Sequence, residues 1–465
     1  MKTNIKREST KSLVRLIESI FEVGVLSVIY YVFWRFGYDV LGLFGFKGKY
    51  VLMGVYAVFT FFLFKNMDGF EFGNLRRIDL ALAQWLGSLM VNFVTYFQLC
   101  LIENHLINPV PMLLLVVADV IVSTIFVFSY TYLYHIIYPP YKMLMIFGTD
   151  TALGLQIKID SRWDKYHIEK LISAEEDFDK ICKEILNYQA VVINDVPAQI
   201  RNDILKFCYQ NEIRSYVVPK ITDLVMRGAT TVNTFDTPIL LVKGNGLTIV
   251  QRTIKRLMDI IMSLIVLIPA APVMLFVALA IKLEDGGPAF YKQDRVTIGG
   301  KEFGILKFRS MIVDAEKYSG AVLAEDNDPR ITKVGKFIRA TRLDELPQIL
   351  NILKGDMSVV GPRPERRTFI EEFCKDMPEF SYRLKVKGGL TGYAQIYGKY
   401  NTGAYDKLRL DLMYIENYSL LLDIKLILTT IRIMFSKDST EGMDKARENE
   451  KLVQDLIEET RNDKN

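Results

Sequence analysis

Long runs of apolar residues dominate the first third of the chain. They lie at about residues 17–36, 50–64, 80–102 and 110–134. Because about 20 apolar residues cross a bilayer as a helix, the pattern predicts a four-helix transmembrane bundle within residues 1–140, although the second run is short. The first run is too long and too poorly terminated for a cleaved signal peptide. The connection near Lys65 and Arg77 is basic, whereas the connection at residues 103–109 has no Lys or Arg. Because basic connections tend to stay in the cytoplasm, this difference places the basic connection and both ends of the bundle there.

Asp119 is the acidic residue to weigh inside these runs. A carboxylate in hydrocarbon is costly and often marks a conduction path. No chain of partner acids or bases accompanies Asp119 in the sequence. The pattern therefore favours a structural hydrogen bond or an interfacial location over a transport role.

The pattern changes after Pro139-Pro140. Short apolar runs at residues 143–148, 190–193 and 215–218 alternate with charged stretches, which predicts buried strands separated by helices. This alternation indicates a small, parallel, Rossmann-like α/β domain over residues 141–245. Gly148 and Gly154 could face a nucleotide, but they do not form a GxGxxG motif, so a scaffold or regulatory domain is the favoured interpretation.

Another apolar run, residues 257–281, begins just after two basic residues. Its length fits a fifth crossing, but Pro269 and Pro272 stand in its middle, where proline breaks or kinks a helix. The alternative is a re-entrant helix-break-helix over residues 252–282 that enters one leaflet and returns. The re-entrant form is favoured, because a fifth crossing would separate the basic C-terminal region from the middle domain.

Composition narrows the chemistry that the C-terminal half can perform. Of the 465 residues, 50% are hydrophobic, and the net charge of +4 does not suggest nucleic-acid binding. The four cysteines form no CxxC motif, and no histidine follows His167. The cysteine spacing does not indicate a disulfide framework or a zinc site, and the lack of histidine excludes a Ser-His-Asp triad and a His-ligated transition metal from that half. Carboxylates, Lys, Arg, Tyr and an oxygen-ligated metal remain.

Two adjacent carboxylates, Asp344 and Glu345, stand among many basic residues, which suits the handling of phosphate. Pro347 favours the first turn of a helix, whose N-terminus stabilises an anion and can hold a phosphoryl oxygen. Asp344 is a candidate nucleophile that needs no histidine. Arg339, Arg363 and a divalent metal, favoured as Mg²⁺, are candidates for neutralising phosphate charge. Taken alone, an Asp-Glu pair at a helix start is more often a capping device.

Four motifs decide between these interpretations: KFRSM at 307–311, LDELPQ at 343–348, LKGDMSVVGPRPE at 353–365 and GLTGYAQ at 389–395. Their order and spacing resemble the bacterial polyprenyl-phosphate hexose-1-phosphate transferases, over about residues 252–435. The long form of that family has a similar layout of membrane helices and a middle domain. The resemblance implies a mainly helical, α+β catalytic domain at residues 246–436, followed here by a charged tail at 437–465.

The resemblance also implies residue roles. Asp344 would form the covalent sugar-phosphate intermediate, and Glu345 would help to bind magnesium. Arg339 and Arg363 would be phosphate ligands. Lys307 and Arg309 are further candidate site residues, and they lie in the KFRSM motif.

One residue departs from the family pattern. Relatives commonly carry proline where this chain has Gly388, and the glycine is expected to loosen the loop.

The implied activity is transfer of hexose 1-phosphate from a UDP-sugar, UDP-glucose or UDP-galactose as a first expectation, to undecaprenyl phosphate, releasing UMP. This step initiates capsule or exopolysaccharide synthesis. The implied location is the bacterial inner membrane, as a multi-pass protein in contact with the lipid bilayer and with a cytoplasmic catalytic domain. A homo-oligomer is left open. An inactive membrane sensor or scaffold and a transporter are the rival interpretations.

Overall fold

The computed structural model describes residues 2–38, 45–148, 152–232, 236–244, 246–313, 315, 328–398 and 402–434. The chain forms two compact units, of which the first contains residues 1–218 and the second residues 219–433. The predicted tail at residues 437–465 lies outside the described residues.

Four long helices begin the first unit. They are α1 (Lys2–Gly37), α2 (Gly45–Asn66), α3 (Arg77–Glu103) and α4 (Val110–Ile137). Each contains a segment long and apolar enough to cross a membrane, and a fifth such helix lies in the second unit. Apolar side chains such as Phe93 and Ile121 point outwards, whereas polar ones, including Asp119, are buried inside the bundle. Outward apolar and inward polar residues are what a lipid environment selects.

A parallel sheet follows the helices. Its strands and helices are β1 (Tyr141–Phe147), α5 (Ala152–Asp160), β2 (Tyr166–Ser173), α6 (Phe178–Ile185), β3 (Ala190–Asn194), α7 (Ala198–Gln210) and β4 (Arg214–Val217). The strand order is β2-β1-β3-β4, and all pairs are parallel. Every residue of β3 is buried, as expected for a central strand covered on both faces.

The predicted boundary of the middle domain at residue 245 lies beyond this unit, which ends at Val218. The reason is α8 (Ile221–Arg227), because its Leu224 belongs to the main apolar core of the second unit. Gly148 does not open a crevice at the end of β1. A Cβ on Gly148 would lie 2.4 Å from the Asp195 carbonyl oxygen, so this glycine permits close packing of two chain segments. Part of the segment between Gly148 and Gly154 lies outside the described residues.

The second unit is built on one long helix, α9 (Ile249–Asp285). A capping box of Thr248 and Gln251 begins it, and Gly286, with φ of 72°, ends it. Pro269 and Pro272 lie inside the helix, so the structure has one helix where the sequence predicts a helix-break-helix. Neither proline can donate a helical hydrogen bond, but the helix continues through both positions.

The remaining elements of the second unit are short. They are β5 (Thr230–Val232), β6 (Ile239–Leu241), β7 (Phe290–Val296), β8 (Glu302–Phe308), α10 (Lys333–Ala340), α11 (Gln348–Lys354), β9 (Ser358–Val360), α12 (Arg367–Asp376), β10 (Gly389–Thr391), α13 (Tyr393–Tyr397), α14 (Ala404–Glu416) and α15 (Leu420–Met434). The strands pair as β5 with β6, β7 with β8, and β9 with β10. Residues such as Phe380, Leu408 and Leu426 form the main core.

Candidate active site

A tight turn presents the two adjacent carboxylates. Residues Leu343–Glu345 form a 3₁₀ turn, entered through Arg342 in the left-handed conformation with φ of 56°. Leu346 and Pro347 then have helical dihedral angles and lead into α11. The proline fits the start of a helix, where no amide donor is needed. Asp344 and Glu345 therefore precede α11 by a single turn.

Glu345 lies between two cations. Its Oε1 accepts hydrogen bonds from Lys307 Nζ at 3.0 Å and from Arg363 Nη2 at 2.9 Å. Burial opposes ionisation of Glu345, but the charges of Arg363 and Lys307 outweigh it and hold the pKa of this carboxyl well below its usual range. Glu345 is thus a fixed anion that brings together Lys307 on β8 and Arg363 on a distant loop.

Asp344 has the opposite electrostatic environment. Burial raises the pKa of this carboxyl, and the adjacent charge of Glu345 adds to the effect, while Lys307 and Arg339 oppose it. A carboxylate whose pKa is raised is a stronger base and a better nucleophile than an ordinary aspartate, provided that it is ionised. The turn therefore contains one carboxylate held as an anion by two cations and one carboxyl whose pKa is raised by burial.

The loop that carries Arg363 is held on several sides. Gly361 N donates to Thr391 O at 2.8 Å, and Gly389 N donates to Pro362 O at 2.9 Å. Arg383, which is almost fully buried, donates from Nη2 to the Arg363 carbonyl oxygen at 2.9 Å. The Arg363 backbone is thereby immobilised while its guanidinium group stays partly exposed to solvent.

Two arginines that hold the Arg363 loop in place, Arg295 and Arg383, were not predicted from the sequence. Arg295 donates from Nη1 to Pro364 O at 3.1 Å, and Arg383 Nη2 also lies 2.9 Å from Asp411 Oδ2. Burial raises the pKa of Asp411 to about 6, in spite of the opposing charge of Arg383. Neither arginine lies in one of the four family motifs. Nothing in the local sequence marks them, because their partners are 69 and 20 residues away along the chain.

Gly388 does not loosen its loop, contrary to the expectation from sequence. Its amide donates to Thr297 Oγ1 at 3.1 Å, and its carbonyl oxygen accepts from Ser358 N at 2.9 Å. A Cβ on Gly388 would lie 2.7 Å from Pro364 Cγ. Proline at this position would lose the first hydrogen bond and meet Pro364, so glycine is the residue that this close packing accepts.

The other predicted site residues have different surroundings. Arg309 is buried, and both of its Nη atoms donate to the carboxylate of Asp285 at the end of α9, with Nη1 at 2.8 Å from Oδ2. Its charge is therefore already paired within the protein. Arg339 lies in the last turn of α10 and is exposed. Pro269 and Pro272 are exposed in the middle of α9.

The first turns of α9 are attached to the segments that carry the site. Asp259 Oδ1 accepts from Ser358 Oγ and from Val359 N, both at 2.9 Å, and β9 leads directly into the Arg363 loop. Arg256 donates from Nη1 and Nη2 to Ile352 O and Leu353 O, at the end of α11. Two cationic bonds to these last carbonyl oxygens also complement the helix dipole.

The far end of α9 is attached to the same site. Glu284 accepts from the backbone amides of Lys333 and Val334, the latter at 3.3 Å, at the start of the helix that bears Arg339. Val277 and Ile281 belong to an apolar cluster that packs against Leu343 and Leu346 on either side of the two carboxylates. The segments bearing Lys307, Arg339, Asp344 and Arg363 therefore all depend on α9.

Magnesium is compatible with this site only if the substrate supplies most of the ligands. Among the residues described here, no group of three or more acidic, His or Cys side chains comes together. Glu345 uses Oε1 for Lys307 and Arg363, and in the described part of the chain its Oε2 accepts no hydrogen bond. Magnesium commonly binds through one or two carboxylates together with substrate phosphates, and Asp344 and Glu345 are the carboxylates that this site offers.

Comparison with known proteins shows which family the second unit belongs to. The family model described as bacterial sugar transferase matches residues 250–437. A putative undecaprenyl-phosphate N-acetylgalactosaminyl 1-phosphate transferase of Bacillus subtilis is 56% identical over 131 residues, 28% of this chain and 73% of that protein. The chain belongs to the bacterial sugar transferase family. The resemblance noted from its motifs is confirmed.

Longer relatives match over a smaller share of their length. A UDP-N-acetylgalactosamine-undecaprenyl-phosphate N-acetylgalactosaminephosphotransferase of Aeromonas hydrophila is 46% identical over 186 residues, 39% of this chain and 44% of that protein. A UDP-glucose:undecaprenyl-phosphate glucose-1-phosphate transferase of Klebsiella pneumoniae is 37% identical over 246 residues, 52% of this chain and 51% of that protein. The chain thus spans about half the length of these relatives.

Proposed function

We propose that the protein is a phosphoglycosyl transferase that moves a sugar 1-phosphate from a UDP-sugar to undecaprenyl phosphate. The observation that carries this proposal is the position of Asp344, a partly buried carboxyl, next to Glu345, which accepts hydrogen bonds from Lys307 and Arg363. The relatives' names supply the donor and acceptor classes. The product is the first lipid-linked sugar of a capsule or exopolysaccharide; a relative of Streptococcus agalactiae is named galactosyl transferase CpsE.

The reaction proceeds in two displacements at one phosphorus atom. Asp344 attacks the phosphorus that carries the sugar, so that an aspartyl oxygen–phosphorus bond forms and the bond to UMP breaks. A phosphate oxygen of the acceptor then attacks the same phosphorus, and Asp344 leaves as a carboxylate. Splitting the transfer in this way replaces one difficult encounter of two anionic substrates by two simpler steps.

The cations next to Asp344 neutralise the transferred phosphoryl group. Arg363 has a partly exposed guanidinium group on an immobilised backbone, which suits bidentate binding of phosphate oxygens. Lys307 and Arg339 act electrostatically on Asp344 from β8 and α10. Arg309 has a supporting role, since both of its Nη atoms donate to Asp285 and fix the segment after β8 to the end of α9.

Glu345 and the substrate diphosphate together would hold magnesium. When bound, this ion supplies charge neutralisation to the departing UMP phosphate. The role of Glu345 that follows from the protein alone is to orient Lys307 and Arg363.

The membrane arrangement that fits this chemistry is a re-entrant α9, kinked at Pro269 and Pro272 while it remains helical. A straight helix of 37 residues would be about 54 Å long and would separate its ends across a bilayer. Both ends of α9 instead contact the catalytic core, through Arg256 and Asp259 at one end and Glu284 at the other. The middle of α9, with exposed Leu264, Ile265 and Ile268, would then enter the cytoplasmic leaflet of the inner membrane.

Release of UMP from a panel of donors tests the function. UDP-N-acetylgalactosamine, UDP-glucose and UDP-galactose belong in the panel, since relatives are named for each of these sugars. Turnover that requires undecaprenyl phosphate, and that Asp344→Asn abolishes, is the expected result. No UMP release with any donor would contradict the proposal. Undiminished release by Asp344→Asn would instead overturn the assigned nucleophile.

A further inference from the structure

The interior of the N-terminal bundle contains a row of polar side chains on α3. Gln84, Ser88, Asn92 and Thr95 follow one another at intervals of one helical turn, and all are buried. Residues three or four apart lie on the same face of a helix, so these side chains form one stripe. Ser, Thr, Asn and Gln side chains in transmembrane helices commonly hydrogen-bond across helices, whereas ionisable side chains there are rare and mark functional sites.

Two fully buried carboxylates contact this stripe at separate levels. Glu22 of α1 accepts from Gln84 Nε2 at 3.1 Å through its Oε2. Asp119 of α4 accepts from Asn92 Nδ2 at 2.7 Å and from Tyr56 OH at 2.9 Å. The structural hydrogen bond expected for Asp119 is therefore confirmed. Because Gln84 and Asn92 are eight residues apart, the two carboxylates lie about 12 Å from each other along the bundle.

Three buried oxygen atoms, one on Glu22 and two on successive turns of α3, have no hydrogen-bond partner within the described residues. Glu22 Oε1, Gln84 Oε1 and Ser88 Oγ are buried and make no hydrogen bond within the described part of the chain. The orientation of the Gln84 amide is fixed, because its Nε2 donates to both Glu22 Oε2 and Gly69 O, the latter at 3.0 Å. Rotating the amide by half a turn would leave both acceptors without a donor, so Gln84 Oε1 is a true acceptor.

Glu22 has no positively charged partner among the side chains that the structure describes. In the described part of the chain neither Lys, Arg nor His donates to it, and the nearest ionisable neighbour on its own helix is another acid, Glu18. Two basic residues of α1 whose side chains the structure describes have other partners: Lys11 Nζ donates to Tyr141 OH at 2.8 Å, and Arg15 lies 3.5 Å from Glu71. A buried carboxylate without a positive partner is costly.

One ligand would satisfy all of these atoms. We propose that Glu22 Oε1, Gln84 Oε1 and Ser88 Oγ form a binding site for a single monovalent cation of the sodium or potassium type. Carboxylate, amide and hydroxyl oxygens are the ligands that hard cations prefer. One monovalent ion compensates the single charge of Glu22, because the other two ligands are neutral. The site is separate from the sugar transferase domain, which begins at residue 250.

Thermal unfolding of the full chain in lipid nanodiscs tests this site. The wild type is compared in NaCl, KCl and choline chloride at equal ionic strength, at pH 6 and at pH 8. Mass action predicts a saturable rise of the unfolding temperature, of roughly 2–4 °C, in sodium or potassium relative to choline. Glu22→Gln should abolish this difference, and Ser88→Ala, which deletes a neutral ligand without adding bulk, should raise the half-saturating concentration several-fold.

Asp119→Asn is the matched control, since it removes the same charge from the same bundle at the other level. It should keep the response to cations, as should the exposed Glu175→Gln in the α/β region. Equal unfolding temperatures in the three salts would overturn the proposal, as would a response that survives Glu22→Gln. Stability that follows pH but not the cation would also overturn it, because a proton would then take the place of the ion.

Discussion

Substitution of Asp259 is a direct way to weaken the attachment of α9 to the active site. Its Oδ1 is the acceptor for Ser358 Oγ and Val359 N, and both Asp259 and Ser358 are almost completely buried. Hydrogen bonds to a charged group contribute roughly 1.5–3 kcal/mol each, so Asp259→Ala, which removes two of them, should weaken the attachment of β9 by about 3–6 kcal/mol. Asp259→Asn keeps an oxygen acceptor in place and should retain most of this contribution.

Hydrogen exchange of the peptide containing residues 358–361 measures this effect without global unfolding. A local loss of about 3 kcal/mol corresponds to roughly a 150-fold faster exchange of the Val359 amide, because each 1.36 kcal/mol is a factor of ten. The Asp259→Asn variant should stay within about tenfold of wild type. Glu372→Ala, a removal of an exposed acid on α12, is the control and should leave this peptide unchanged.

Catalysis should respond in a defined way, since β9 leads to the Arg363 loop. A loosened Arg363 binds the donor phosphates less well, so Asp259→Ala should raise KM for the UDP-sugar and lower kcat. Unchanged protection of residues 358–361 in Asp259→Ala would refute the attachment. Faster exchange with wild-type kinetics would refute its influence on the site.

Three further predictions follow from the contacts of the site. Glu345→Gln should lower the free energy of unfolding by about 2 kcal/mol at pH 7 relative to wild type. Because the pKa of Glu345 is held low only in the folded state, protonation at low pH costs the wild type this stability, so the difference between the two proteins should shrink as pH falls. Denaturant titrations at several pH values measure the difference. Lys307→Gln removes a charge that lowers the pKa of Asp344, so the acid limb of the profile of kcat/KM should move to higher pH; an unmoved limb would count against Asp344 as the ionising group. Gly388→Pro should lower the unfolding temperature and raise KM, whereas a variant as stable as wild type would show that the contacts with Thr297 and Pro364 are unimportant.

The sequence revealed the elements whose signals are local. Apolar runs predicted the long helices, and the buried strands of the sheet follow their short apolar runs. The acidic pair and its family motifs were equally visible, because these residues are close together in the chain. The sequence could also have shown the stripe of Gln84, Ser88 and Asn92, whose spacing of four residues stands out in an apolar helix.

Long-range contacts were beyond the reach of local patterns. Arg309 has the appearance of a phosphate ligand in its motif, yet its partner Asp285 lies 24 residues earlier. Gly388 suggested a loose loop, because glycine is flexible in isolation, but Pro364 and Thr297 determine its packing. The break expected at Pro269 was also not realised, since a helix can lose a hydrogen bond and continue.

The central claim is that Asp344 carries the sugar phosphate during turnover. Intact-mass measurement of the full chain, incubated with magnesium and a donor found active in the panel but without undecaprenyl phosphate, tests it directly. The expected result is a mass increase equal to one sugar phosphate in the wild type, located on the peptide that contains Asp344 and absent from Asp344→Asn. Transfer to undecaprenyl phosphate without any such adduct, or an adduct that persists in Asp344→Asn, would contradict the mechanism.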